Sequence, residues 1–324
     1  MKRKVIHILT GAMLVAAGVL GIAAASHKEI SHIAADTRPV VKIAYLPTTH
    51  SLALLEQAKL EKENLNYHIE LVKYGTWPDL SDALNSGQVD GAVELTELAM
   101  KAKAKGIPIK AVALGHRDGN IVVTDKSIKS AKELKGKSFA IPSKLSSHNV
   151  LLKLLLEKNG LQEKDIHIIE LSPSEMPFAL VSGQIAGYCV AEPFGGKAVH
   201  ADVANVLYKS EGLWKDSICC ALVFQENFLK RKIANEVIQD YIDAGSYLEE
   251  HKKEAVETGE TYLSVDKEVL QVSLQWISFF DLKLSKEAYD TLCESLIQYG
   301  IMESPPLYEE FVSDYDSKVG ADTQ

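Results

Sequence analysis

Arginine stands at only four of 324 positions, Arg3, Arg38, Arg117 and Arg231. A guanidinium fork around an oxyanion therefore falls to Arg117 alone, because Arg38 lies in a polar tether and Arg231 on a C-terminal helix. Cysteine is equally sparse. Cys189, Cys219, Cys220 and Cys293 follow no zinc-motif spacing, and four thiols allow three pairings among which the sequence does not choose. The adjacent Cys219 and Cys220 read as part of a buried strand rather than as a metal pair. No His-x-His or His-x-x-x-His occurs, so a metal set drawn from His50, His148 and Glu192 has no local support. Acidic residues outnumber basic ones, 44 to 35, which argues against nucleic acid or anionic lipid as partner. With 46% apolar and 24% charged residues, disorder is excluded and two compact lobes are expected.

Residues 1–25 carry Lys2, Arg3 and Lys4, then an apolar run from Val5 to Ala25 that closes on small residues before Ser26. This is the pattern of a secretory signal cleaved near Ser26, the alternative being an uncleaved anchor of about 20 residues. No cysteine follows the run to accept a lipid. Cleavage removes three basic residues and no acidic one, so the net charge of −9 becomes −12. Residues 26–39 read as a tether. The expected localisation is the periplasm or the outer face of the cytoplasmic membrane.

Strand and helix patterns then alternate. The predicted elements are strands Val40–Leu46, His68–Lys73, Val89–Val93 and Pro108–Leu114, with helices between them. A second series holds Ser138–Ile141, a helix opening at Ser146 or Ser147, Ile166–Glu170, a helix Ser174–Ser182, and Gln184–Val190, which makes one βαβαβ unit. Ile121–Thr124 and the segment from Cys219 read as two crossings between lobes, so lobe 1 is discontinuous (40–124 plus 216–324) and lobe 2 covers 125–215. Beyond Gln225 the pattern is helical: Asn227–Glu250, Lys252–Leu263, Lys267–Phe280 and Ser285–Tyr299. A Gly-Gln-Val-Asp-Gly at 87–91 and a Gly-Gln-Ile-Ala-Gly at 183–187 suggest internal duplication.

In open parallel sheets, ligands meet the loops at the carboxyl ends of strands. His50 and Ser51 follow the first strand, Trp77 the second, and Glu94 and Thr96 the third. His116 and Asn120 flank the first crossing. Ser143, Ser146, Ser147 and His148 form a serine-rich turn at a helix start, where free N–H groups and hydroxyls suit an anion or a carbonyl oxygen. Glu192 and Pro193 follow the last strand. Each of these also has a structural reading, as cap, core residue or hinge. No nucleophile sits beside an orienting base, so no catalysis and no cofactor are expected.

The segments VKIAYLPTTHSLAL, DLSDALNSGQVDGAV, KAKGIPIKAVALGHRDGNIVV, KELKGKSFAIPSKLSSHNVLLKLLLEKNGL, FALVSGQIAGYCVAEPFGGKA and LWKDSICCALVF, over about residues 40–225, carry a resemblance. They are similar to extracytoplasmic solute-binding proteins of ABC importers, in the family serving nitrate, bicarbonate, sulfonates and taurine, which includes binders of thiamine pyrimidine precursors. The resemblance implies a two-lobed α/β fold of the type II periplasmic-binding-protein class with a two-stranded hinge. It also implies a monomer that delivers a small polar molecule to a membrane permease, and a Glu192 carboxylate that closes onto the cleft. The scarcity of arginine tilts the ligand towards an aminopyrimidine and away from a strong oxyanion. Two alternatives remain open: an enzyme like the fungal thiamine pyrimidine synthase, which is similar in fold, and a metal-ion capture protein.

Overall fold

The computed structural model describes residues 37–60, 66–215 and 217–313. The expected signal segment and tether residues 26–36 lie outside them. Among the described residues no helix is long and apolar enough to cross a membrane.

The strands in chain order are β1 (Val40–Tyr45), β2 (His68–Lys73), β3 (Gly91–Leu95), β4 (Ile109–Leu114), β5 (Arg117–Asp118), β6 (Asn120–Asp125), β7 (Ser138–Ile141), β8 (His167–Glu170), β9 (Gly187–Ala191), β10 (Ala204–Lys209), β11 (Cys220–Gln225) and β12 (Ile277–Ser278). The first sheet has the order β2-β1-β3-β11-β4 and the second β8-β7-β9-β6-β10. These orders correspond position by position. In each sheet three parallel strands are followed by one antiparallel strand contributed from across the chain, β11 in the first and β6 in the second. Strand β6, expected to cross, lies wholly in the second sheet, and β11 lies wholly in the first. The connections between sheets are therefore the short segments 115–119 and 210–219.

The helices that matter for the site start at strand ends: α1 (Leu52–Leu60), α2 (Trp77–Asn85), α3 (Thr96–Ala104), α4 (Ser147–Lys158), α5 (Met176–Val181) and α6 (Phe194–His200). Thr76 caps α2 by accepting from Asp79 N, and Pro78 sits in its first turn, where no intrahelical donor is lost. The C-terminal helices are α7 (Glu226–Leu229), α8 (Ala234–Glu250), α9 (Lys252–Leu263), α10 (Lys267–Ser273), α11 (Lys286–Gln298) and α12 (Tyr308–Phe311). They join the core of the first sheet. Gln57 of α1 donates to Val237 O of α8 at 2.8 Å, and Tyr67 donates to Asp240 at 2.7 Å.

Strands expected at Val89–Val93 and Gln184–Val190 start later, at Gly91 and Gly187, and other elements differ more. The helix from Lys267 ends at Ser273, because Ile277 and Ser278 pair antiparallel with Asp118 and Arg117. The segment 227–250 is two helices, α7 and α8. Strand β10 was not anticipated; only Ala204 in it is buried, so it lacks the apolar run by which an inner strand is read.

Candidate functional site

The candidate residues gather where the two sheets' connecting loops meet. His50, Ser51, Trp77, Glu94, Thr96, His116, Asn120, Ser146, Ser147, His148 and Glu192 are all buried, and Ser143 is half-buried. Burying so many polar groups is costly unless each finds a partner. Their partners divide them into those that build the site and those left open within it.

Ser51 donates to Leu46 O at 3.1 Å, which closes the turn after β1. Ser146 donates to Ser143 O at 2.6 Å, and Ser143 Oγ accepts from Leu145 N at 3.1 Å, so these two serines shape their own turn. Ser146 is the cap residue of α4 but makes no side-chain cap bond. Thr96 donates to Cys219 O through both its N–H (2.9 Å) and its hydroxyl (3.0 Å), which fixes the approach to β11. Trp77 belongs to the first core and also lines a cavity of about 530 Å³ with Ser81, Ser143 and Glu170. Its Nε1 has no partner.

The Glu192 carboxylate, expected to close onto the cleft, is engaged by the start of α6 and by Ser273. Both its oxygens accept from Gly196 N (3.1 and 2.9 Å), and Ser273 donates to Oε2 at 2.5 Å. A Cβ at Gly196 would lie 2.8 Å from Glu192 Oε2 and 2.5 Å from Ser273 Oγ, so only glycine lets the carboxylate settle against α6. What Glu192 offers across the sheets is its backbone: Glu192 O accepts from Thr49 N at 2.8 Å and from Thr49 Oγ1 at 3.0 Å. Burial lifts the Glu192 acid to about 7 despite those hydrogen bonds.

Beside this contact His50, His116, Cys219 and Cys220, all buried, bring one ligand atom each to within 4.8 Å of one another. Cys219 Sγ and Cys220 Sγ are 3.7 Å apart, and His50 Nδ1 lies 3.5 Å from Cys220 Sγ and 3.8 Å from Cys219 Sγ. The His50 and His116 rings stack with centroids 3.4 Å apart. All four cysteines are free thiols. Cys219 and Cys220 are buried at the start of a strand, as expected, and are also part of this donor group, which was not expected. Gly115 permits the approach: a Cβ there would stand 3.0 Å from His50 O and 3.1 Å from Cys220 Cβ.

The electrostatics follow from dryness. Burial lowers His116 and His148 to about 4, so both rings are neutral at physiological pH. Burial pushes the Cys219 thiol up, but its contacts with Cys220 and His50 and the nearness of His148 outweigh it and hold Cys219 below the thiol range. Burial and the neighbouring Cys219 charge push Cys220 up. Burial also raises Glu94 to about 7, against a hydrogen bond from Ser81 at 2.7 Å, and Glu97 rises through burial and the charge on Cys219. Both ring nitrogens of His116 and of His148, both Glu97 oxygens, Glu94 Oε1, Asn120 Nδ2 and Ser147 Oγ have no partner. Glu97 was missed in the sequence because its position in the first turn of α3 looks like an ordinary helix-start acid.

Arg117, the one arginine available as a clamp, is committed elsewhere. It donates to the carbonyls of Phe280 and Asp281 at 3.0 and 2.9 Å.

A family model described as the NMT1-like family matches residues 34–261. The chain is similar to the ligand-binding component of an ABC-type import system from Staphylococcus aureus, solved with zinc bound: 37% identical, TM-score 0.82, covering 85% of this chain and 97% of that one. It shares the fold of the periplasmic nitrate-binding protein NrtA from Synechocystis at 17% identity and TM-score 0.74, over 83% of each chain. It is 23% identical over 284 residues to the nitrate import ATP-binding protein NrtC of Synechocystis, matching 79% of this chain. It spans only 42% of that relative's length. The two α/β sheets, the residues that close between them and these similarities place the chain in the NMT1-like family, on the fold of periplasmic binding proteins.

Proposed function

We propose that the protein is the exported solute-binding component of an ABC importer. It captures a small ligand between two lobes, one built around each sheet, and presents the closed form to a membrane permease without chemical turnover. One observation carries this reading: unpartnered buried polar groups from strand-end loops of both sheets converge beside the Thr49–Glu192 hydrogen bonds. Groups so placed favour a ligand that fills them only when the lobes are closed. The Staphylococcus aureus protein supports the import role and adds zinc to the candidate ligands, beside the nitrate of NrtA. The signal-like residues 1–25 support export, with the mature chain starting near Ser26.

The test uses the purified mature chain in a thermal-shift panel of zinc, nitrate, bicarbonate, taurine, an alkanesulfonate and an aminopyrimidine, with X-ray scattering in each. A ligand at a hundred times its Kd raises stability by about 2.7 kcal/mol. Expected is one ligand class that stabilises, compacts the protein and is recovered unchanged. No stabilisation by any of them, or release of a product, overturns the reading.

A further inference from the structure

We infer that the captured solute is a zinc ion, held by His50, His116, Cys219 and Cys220. This rests on the solute-binding reading above and names its cargo.

The donor geometry carries the inference. Tetrahedral zinc has Zn–S bonds near 2.3 Å and Zn–N bonds near 2.0–2.1 Å, so its S–S edge is about 3.8 Å and its S–N edge about 3.6 Å. The sulfurs stand 3.7 Å apart, and His50 Nδ1 is 3.5 and 3.8 Å from them. His50 is also oriented for the task. Its Nε2 lies 3.1 Å from Gly119 O, and an N–H donated there fixes the tautomer that leaves Nδ1 with its lone pair facing the sulfurs. His116 is buried with neither ring nitrogen engaged. Two sulfurs and two imidazoles in this arrangement select zinc over magnesium or calcium, which require oxygen ligands.

Charge decides between a cation and an anion. Two thiolates and two neutral imidazoles balance a divalent ion, so the filled site is neutral and its burial is tolerable. Each thiol that binds as thiolate releases its proton to solvent. An anion would instead meet Glu94 and Glu97, with no lysine or arginine among the buried described residues to offset them.

Placement adds an order of events. His50 follows β1, His116 follows β4, Cys219 immediately precedes β11 and Cys220 opens it, all strands of the first sheet. The ion therefore seats on one lobe first, and the second lobe, with His148 at the start of α4, closes over it.

The experiment is a cobalt(II) titration of the reduced, metal-free mature chain, followed by zinc competition against a chromophoric chelator. One equivalent of cobalt should give a thiolate charge-transfer band and intense tetrahedral d–d bands, both lost when zinc is added. Cys219→Ser with Cys220→Ser should abolish the charge-transfer band and weaken zinc by about 100-fold or more, and His116→Gln by at least about tenfold. Cys293→Ser is the control and should bind as the parent does. Circular dichroism checks that each variant folds. A cobalt complex without a thiolate band, or wild-type zinc affinity in the double serine variant, overturns the inference. The thermal-shift panel separates the two claims: stabilisation and compaction by an anion or pyrimidine but not by zinc overturns the cargo and leaves the importer role standing. Failure of every ligand overturns both.

Discussion

Thr49 grips the carbonyl of Glu192 with two donors at once, its backbone N–H at 2.8 Å and its hydroxyl at 3.0 Å, across 143 residues of chain. Thr49 belongs to the turn after β1 and immediately precedes His50, the proposed metal donor, whereas Glu192 directly follows β9 of the second sheet. On the proposed function, a ligand that orders His50 also orders the residue that fastens one sheet's loops to the other's, so recognition and closure would share two neighbouring residues.

Thr49→Val keeps the N–H and deletes the hydroxyl. A buried hydrogen bond is worth about 0.5–1.5 kcal/mol net, so affinity for the stabilising ligand should drop by roughly 2- to 10-fold, with less compaction in X-ray scattering. Thr49→Ser retains the hydroxyl and should behave as the parent does. Equal affinity in the valine variant would show that the Glu192 contact does not report closure.

Gly115→Ala tests whether the donors need their close approach. The added methyl would press on His50 O and Cys220 Cβ, at 3.0 and 3.1 Å. Overpacking of this kind costs about 1–3 kcal/mol, and here the strain falls on two of the four donors, so metal affinity should fall along with the melting temperature. Gly75→Ala is the comparison, since a Cβ there meets nothing within 4 Å. Calorimetric titration of both variants decides it.

Trp77 tests a different reading. From the sequence Trp77 reads equally as a surface that stacks on a planar ligand and as a residue packed under a loop, and in the fold the indole is 3% exposed and packs in the first core. Trp77→Ala should cost about 3–5 kcal/mol of stability, the range for a large aromatic removed from a core. A Trp77→Phe variant that still folds should keep the parent's ligand affinity. If phenylalanine weakens the ligand without destabilising the fold, the ring contacts the solute.

Which residues meet was legible only in part. Strand-end loops pointed to His50, His116 and His148, because alternation of strand and helix fixes where loops fall. The roles were harder. Ser51, Ser146 and Glu192 looked like ligand contacts, yet their side chains close local turns or a helix start, since a hydroxyl or carboxylate near free backbone groups satisfies those first. Cys219 and Cys220 were unreadable as donors for a simple reason: their partner His50 is 169 and 170 residues away, and no local spacing records a site that three separate segments assemble. The small sheet of β5 and β12 escaped for the same reason. Two-residue strands carry no period.

Glu94 gives the pH test. Burial raises its acid to about 7 from an ordinary 4.5, so the folded protein holds a proton that the unfolded chain has already released across that window. With fewer protons on the unfolded state, stability contributed by Glu94 is present below about 4.5 and is lost as pH rises through about 7. His116 and His148 act in the opposite direction. Their folded values near 4 lie below the ordinary 6.5, so their contribution is present above 6.5 and is lost as pH falls towards 4. The trends of Glu94 and the histidines therefore oppose each other between about 4.5 and 6.5, and the parent's profile alone does not reveal either. Glu94→Gln separates them, because it keeps the shape and cannot ionise. Measured by denaturant unfolding of the metal-free protein, the stability of the parent relative to the glutamine variant should fall by up to about 3 kcal/mol from pH 4.5 to pH 7.5. A difference that stays flat over that range would mean that Glu94 is ionised throughout, with a cation or donor beside it that its hydrogen bond from Ser81 does not supply.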